Sequence, residues 1–233
     1  MSPSLPTPET ALREILALWG NPPSTLTPSK ESLVVECALC LLVQQSVSRS
    51  LRLLFDEFVN DTALRESFRK ARGFCAEHTR QLALTGDALA LSILYSDLAD
   101  QTLERWRRGK TRAFSPPFGG RRIESPAPCL ACQTAEEASN RYSDALAQGL
   151  QQAEVREAYA QSAGLCVAHV ERILSKAKPE PAALLLAQES ERLKHLYNEL
   201  AEVIRKNDYR FRNEEWGEER DAWLRALPKI TRP

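Results

Sequence analysis

Residues 73–78 read GFCAEH, and residues 164–169 read GLCVAH. Both hexapeptides contain glycine, an apolar residue, cysteine, two spacers and histidine, and together they hold two of the six cysteines and two of the three histidines. Glycine is typical of a helix end, because it readily adopts the left-handed conformation that terminates many helices. We therefore expect each hexapeptide to end one helix and to begin the next.

A Cys-x-x-Cys motif precedes each hexapeptide at nearly the same distance. Cys37 and Cys129 are 92 residues apart, as are Cys40 and Cys132, while the cysteines and histidines of the two hexapeptides are 91 residues apart. A single one-residue deletion accounts for the difference. Self-similarity at a constant offset is the sequence signature of an internal repeat.

Hydrophobic periodicity predicts the fold class. Leu51, Leu54, Phe55 and Phe58 follow the i, i+3, i+4, i+7 spacing of one helix face, and no segment shows the alternation of a strand. The sequence predicts an all-α protein of two tandem, pseudo-symmetric helical repeats, each with about four helices and a Cys3His metal site. A C-terminal clasp segment follows them.

The predicted domain organisation has five parts. They are an N-terminal extension with a short helix (1–28), a first metal-binding helical repeat (29–106), a linker rich in Pro, Gly and Arg (107–128), a second metal-binding helical repeat (129–206) and the C-terminal clasp (207–233). The charged and aromatic residues of the last part would suit a polar binding site or a clasp across both repeats. We favour the clasp, because neither a nucleophile nor a phosphate loop accompanies them.

Three thiols and one imidazole in each repeat are the ligand set of a closed, tetrahedral structural zinc site. The two-residue spacers bring both ligands of a motif onto one turn or helix face, and a helix N-terminus stabilises thiolates. We expect two zinc ions per chain, each bound within one repeat, whereas ligands shared across repeats would place Cys37 close to His169. The predicted ligands are Cys37, Cys40, Cys75 and His78 for the first ion, and Cys129, Cys132, Cys166 and His169 for the second.

Other chemistry remains open at these residues. An iron–sulfur cluster could use a cysteine-rich site with one histidine, and a Cys-x-x-His pair could act as the nucleophile and base of a thiol enzyme. A redox Cys-x-x-Cys is a further alternative, although it usually lies in a βαβ context that this sequence lacks. His195 has no cysteine near it in the sequence and is predicted to be an ordinary helix residue.

Composition limits the partners and the compartment. The chain has 31 basic and 31 acidic residues, so its net charge provides no general attraction for nucleic acid or an anionic membrane. An unidentified protein is the favoured partner and a membrane is not expected. Nucleic acid is a weaker alternative through the basic linker, which lacks the stacking aromatics of a nucleic-acid-binding module. We expect a cytoplasmic protein, since we find neither a secretory signal nor an apolar run long enough to span a membrane.

Three stretches resemble a known bacterial family. They are VNDTALRESFRKARGFCAEH, the second-half CLAC with GLCVAH, and IRKNDYRFRNEEWGEERDAW. The chain resembles the family called domain of unknown function 6062 from about residue 30 to near the C-terminus, although Ala38 and Leu130 stand where its members commonly have proline. The resemblance implies that both motif sets are important, and it implies no activity.

These observations favour a non-catalytic zinc-binding scaffold or adaptor that binds another macromolecule. A closed ligand set leaves no open metal position for a substrate, and the binding energy of the metal becomes folding energy. The competing class is a metalloenzyme or redox protein that uses an exposed zinc ion or an iron–sulfur cluster.

Overall fold

A computed structural model describes residues 7–20, 37–84, 87–108, 126–211 and 213–230. Within these residues the fold is all-α, as predicted, and contains no strand. No described helix is both long and apolar enough to cross a membrane. The helices are α1 (Pro8–Gly20), α2 (Ala38–Leu53), α3 (Thr62–Ala71), α4 (Ala76–Ala83), α5 (Ala88–Arg107), α6 (Leu130–Gly149), α7 (Ala153–Gln161), α8 (Val167–Leu174), α9 (Pro179–Lys206) and α10 (Ala222–Ile230).

The chain forms two compact units. Unit 1 comprises Met1–Gln44 and Glu137–Pro233, and unit 2 comprises Gln45–Glu136. The boundaries fall inside α2 and inside α6, so each unit takes residues from both predicted repeats. The boundaries of the two tandem repeats (29–106 and 129–206) stay predictions from the sequence. The duplication of the repeat also stays a prediction. Most of the predicted linker lies outside the described residues.

Unit 1 is built around an apolar core to which the N-terminal helix contributes. Ala11 and Ile15 of α1 are fully buried, and α1 packs against α7. Tyr142 of α6 donates a hydrogen bond of 2.6 Å to Glu14. The predicted N-terminal extension thus supplies part of a core through its helix.

Unit 2 has its own core of buried aromatic and aliphatic side chains. Phe68 packs against Phe74 and Tyr95 with ring centroids 5.1 and 5.7 Å away. Beside this cluster, Arg69 of α3 makes two hydrogen bonds, of 2.7 and 2.9 Å, to Asp97 of α5. This bidentate pair joins the two helices at the edge of the core.

Ion pairs attach the C-terminal segment to α9 in unit 1. Lys206 lies 2.7 Å from Glu219, and Arg225 of α10 contacts Glu199 through two hydrogen bonds of 3.0 Å. Trp223 remains 46% exposed. Charged contacts therefore help to hold the segment in place.

Candidate metal centres

The Cys-x-x-Cys motifs lie at the N-termini of two long helices. The carbonyl of Cys37 accepts the backbone N–H of Leu41 at 3.2 Å, which places Cys37 immediately before α2 and Cys40 in its first turn. Cys129 accepts the N–H of Gln133 at 2.9 Å in the same way before α6. Both cysteines of each motif thus face the end of a helix where free N–H groups stabilise thiolates.

The Cys-x-x-His motifs also begin helices, as predicted. Cys75 is the N-cap of α4 and Cys166 is the N-cap of α8, with closely similar backbone angles (φ −69°, ψ 167° and φ −70°, ψ 155°). Gly73 and Gly164 have φ of +94° and +85°, a region that residues with a Cβ atom rarely adopt. The glycine permits the sharp turn from the preceding helix into the cysteine.

Four candidate ligands meet in unit 1, in a group that we call cluster A: Cys37, Cys40, Cys166 and His169. The Sγ atoms of Cys40 and Cys166 are 3.6 Å apart. Nδ1 of His169 lies 3.1 Å from Sγ of Cys166, 3.4 Å from that of Cys40 and 3.6 Å from that of Cys37. Cys166 and His169 are almost completely buried.

The other four candidate ligands form cluster B in unit 2: Cys75, His78, Cys129 and Cys132. The Sγ atoms of Cys75 and Cys132 are 3.7 Å apart. Nδ1 of His78 lies 3.1 Å from Sγ of Cys75, 3.5 Å from that of Cys132 and 3.8 Å from that of Cys129. Cys129 is buried, and the other three side chains are half-buried.

The expected pairing of ligands within each repeat is wrong. Each cluster combines the Cys-x-x-Cys of one predicted repeat with the Cys-x-x-His of the other, and Cys37 lies 3.6 Å from Nδ1 of His169. The reason is that unit 1 joins the start of α2 to the part of the chain that contains α8, while unit 2 joins α4 to the start of α6. The spacing of cysteine and histidine along the chain identifies each Cys-x-x-Cys or Cys-x-x-His motif. It contains no information on which of these motifs meet in the fold.

The separations within both clusters suit a single tetrahedral ion. Zn–S and Zn–N bonds of about 2.3 and 2.0–2.1 Å place tetrahedral ligands about 3.8 Å apart for two sulfurs and about 3.6 Å for sulfur and nitrogen. The observed Sγ–Sγ distances of 3.6 and 3.7 Å and Sγ–Nδ1 distances of 3.1–3.8 Å are close to these values. Each cluster could therefore hold a metal ion.

Electrostatics favour one thiolate in each cluster and oppose ionisation of another thiol. Hydrogen bonds with Cys166 and Cys37 raise the pKa of Cys40, and burial raises the pKa of Cys132 to about 12.

Ionisation is favoured at Cys75 in cluster B and at His169 in cluster A. Partial burial opposes ionisation of Cys75, yet hydrogen bonds from the backbone and imidazole of His78 outweigh it and lower the thiol pKa to about 7. Burial opposes protonation of His169, yet hydrogen bonds to Cys166 and Cys37 raise the imidazole pKa to about 9. In cluster A the shift reflects a thiolate and an imidazolium group that stabilise each other, and a cation would replace the imidazolium proton.

A buried hydroxyl supports the histidine of cluster A. Oγ of Ser139 lies 3.0 Å from Nε2 of His169, on the opposite side of the ring from the ligand atom Nδ1. Such a partner orients the imidazole of a metal ligand. Ser139 is not among the residues predicted from the sequence, where its only signal is its position two helical turns after Cys132 on α6.

A buried carboxylate holds the backbone next to cluster A. Glu189 of α9 accepts the N–H of Leu165 at 3.1 Å and the hydroxyl of Tyr159. It also pairs with Arg192 at 3.0 Å and with Lys229 of α10 at 2.7 Å. Because Leu165 directly precedes Cys166, this network positions the backbone that carries Cys166. The sequence motifs alone did not connect this segment to α9.

His195 lies apart from both clusters. Its side chain is 70% exposed on α9, and Nδ1 is 3.4 Å from Glu199. All eight predicted ligands are therefore in the two clusters, and the third histidine is in neither.

Comparisons with known proteins agree with the resemblance noted in the sequence. The chain is 27% identical over 176 residues to the "Uncharacterized 23.9 kDa protein in xynA 3'region" of Caldicellulosiruptor sp. (strain Rt8B.4), and the match covers 75% of this chain and 83% of the relative. No solved structure matches. The model of a family of unknown function matches residues 32–233, which include all eight candidate ligands, and the chain belongs to this family, DUF6062.

Proposed function

We propose that the protein binds two zinc ions, one in each cluster, and that both ions are structural. The observation that supports this most directly is the convergence of three thiols and one imidazole at tetrahedral separations, twice in one chain. Three cysteines and a histidine form a common closed ligand set for structural zinc. With all four positions taken by protein, the metal has no open site for a substrate.

Zinc suits the compactness of the clusters better than iron–sulfur chemistry does. All ligand atoms of a cluster lie within 4.8 Å of one another. A four-iron cluster binds each cysteine to a different iron, so its ligands surround a body much larger than one ion. Four ligands that converge on one point are what a single ion requires.

The metal ions would act in folding. Cluster A joins residues 126–132 positions apart in the chain, and cluster B joins residues 51–57 positions apart. Closing such long loops costs chain entropy, which metal binding offsets. We therefore propose that the zinc ions hold together units whose segments are remote in sequence.

Metal analysis tests this proposal. Protein purified without added metal should be colourless and should show two zinc ions per chain by native mass spectrometry. A brown preparation that absorbs visible light would contradict zinc and support an iron–sulfur cluster. Cys166→Ser should lose one ion and the cooperative unfolding of unit 1, whereas Ser48→Ala, a change outside both ligand sets, should keep both ions.

We further propose that this scaffold binds another protein through α9. Four large apolar side chains of α9 are 38–75% exposed on one side of the helix: Leu186, Leu193, Tyr197 and Ile204. Their spacing of seven, four and seven residues gives a continuous stripe, and exposed apolar stripes of this kind mark interaction surfaces.

Site-specific photocrosslinking tests this surface in cells. A photoreactive residue at Tyr197 should give a discrete adduct with another protein, while the same probe at Glu191, on the polar side of α9, should not. The absence of an adduct at Tyr197, or equal adducts at both positions, would contradict the assignment.

A further inference from the structure

Clusters A and B have the same ligands and the same helix-terminal geometry but different surroundings. In cluster A, Cys37, Cys166 and His169 are buried, with exposed fractions of 5, 1 and 2%. In cluster B, only Cys129 is buried. Solvent and dissolved reagents therefore reach cluster B more easily.

The histidines of the two clusters are also supported differently. Ser139 contacts Nε2 of His169, whereas no described residue makes a hydrogen bond to Nε2 of His78. The residue seven positions after Cys40, where Ser139 lies seven after Cys132, is Val47. Val47 is buried in the apolar core around cluster B and has no group that could hydrogen-bond an imidazole.

Helix α10 covers cluster A and has no counterpart among the described residues of unit 2. Pro228 and Lys229 line a cavity of about 10 Å³ together with Cys37 and Cys166, which leaves room for about one water molecule. The pairing of Lys229 with Glu189 holds this cover in place. Cluster A is thus closed by a separate helix.

We propose that cluster B is a thiol-oxidation site that releases its zinc, while cluster A keeps its ion. The oxidant of these thiolates is a peroxide, such as hydrogen peroxide. A sulfur–sulfur bond forms between Cys75 and Cys132, the two thiolates give two electrons to the peroxide, its O–O bond breaks, and two protons from solvent complete two water molecules. The zinc ion, left with Cys129 and His78, then dissociates.

The geometry favours this pair of thiolates. Their Sγ atoms are 3.7 Å apart, and both side chains are half-buried. Zinc-bound thiolates are nucleophilic, and oxidation follows thiolate character and exposure. Two cysteines of cluster B are half-buried, against one, Cys40, in cluster A.

This inference rests on the proposed binding of zinc, and one experiment distinguishes a failure of the inference from a failure of the proposed function. Protein with two zinc ions is titrated with hydrogen peroxide, released zinc is measured with a colorimetric chelator, and disulfides are mapped by mass spectrometry. We expect one ion to leave about tenfold faster than the other, together with a Cys75–Cys132 disulfide. Purified protein without zinc would overturn the proposed function, whereas two ions that leave together, or a first disulfide in cluster A, would overturn only this inference.

The variant Ser139→Ala changes only cluster A, and its effect is measured as zinc release as well as stability. Loss of a hydrogen bond to a ligating histidine typically weakens metal binding about 10–100-fold. Without peroxide, a chelator should then remove the zinc ion of cluster A faster than in the unchanged protein, while removal of zinc from cluster B stays the same. An unaltered order and spacing of the two releases would contradict the role assigned to Ser139.

Discussion

Glu189 shows how one residue connects three segments of unit 1. It is 6% exposed and contacts Arg192 in its own helix, Lys229 in α10 and the backbone of Leu165 beside Cys166. A buried charge is tolerated only when charged partners and hydrogen bonds replace water. All of these are present here.

Removing this carboxylate should be strongly destabilising. Glu189→Ala leaves Lys229 and Arg192 without their buried partner, and breaking a buried pair typically costs about 3–5 kcal/mol of unfolding free energy. Urea unfolding of the zinc-loaded protein measures the loss. Glu191→Ala, at an exposed position on the same helix, should change the free energy by about 0.5 kcal/mol or less. Equal effects of the two variants would contradict the role of Glu189.

The glycine before each Cys-x-x-His has a conformational role that a substitution can test. Gly164 has φ of +85°, and a Cβ atom there would lie 2.5 Å from Oε1 of Glu189. Gly164→Ala should cost at least about 1–2 kcal/mol, since strain in the left-handed region adds to the clash. Thermal unfolding provides the measurement. At Gly20 a Cβ atom meets nothing within 4 Å, so a Gly20→Ala variant that is equally destabilised would refute the explanation.

At the scale of elements, four helix N-termini carry all the candidate ligands. The sequence predicts this arrangement, because glycine at a helix end and the position of a cysteine at an N-cap are local properties. Local patterns also predict the all-α class. They do not predict that α10 closes cluster A, because the contacts of Arg225 and Lys229 with α9 are tertiary.

Loss of one arginine should loosen that cover. Arg225 makes two hydrogen bonds to Glu199 and one of 2.9 Å to Asp221. Hydrogen bonds to charged groups contribute about 1.5–3 kcal/mol each when well shielded, so Arg225→Ala should detach α10. Hydrogen exchange across Ala222–Ile230 should then become faster. Arg220→Ala, at an exposed arginine close in the chain, should leave the exchange unchanged, and an equal response would argue against the ion-pair clasp.

In the molecule as a whole, the sequence could not determine which Cys-x-x-Cys motif shares a cluster with which Cys-x-x-His motif. The two predicted repeats contain identical ligand sets, so within-repeat and cross-repeat sites satisfy the same coordination chemistry. Only the placement of the start of α2 with α8 in one unit, and of α4 with the start of α6 in the other, decides between them. The eight residues were predictable because their chemistry is local. Their pairing was unpredictable, since it depends on the complete fold.

The zinc content of two double variants tests this partnering most directly. Cys37→Ser with Cys166→Ser removes two ligands of cluster A alone, so native mass spectrometry should find one zinc ion, held in cluster B. Cys37→Ser with Cys75→Ser removes one ligand from each cluster and should leave neither ion tightly bound. If the first variant has no zinc and the second retains one ion, each site is built within one repeat and the arrangement described here is wrong.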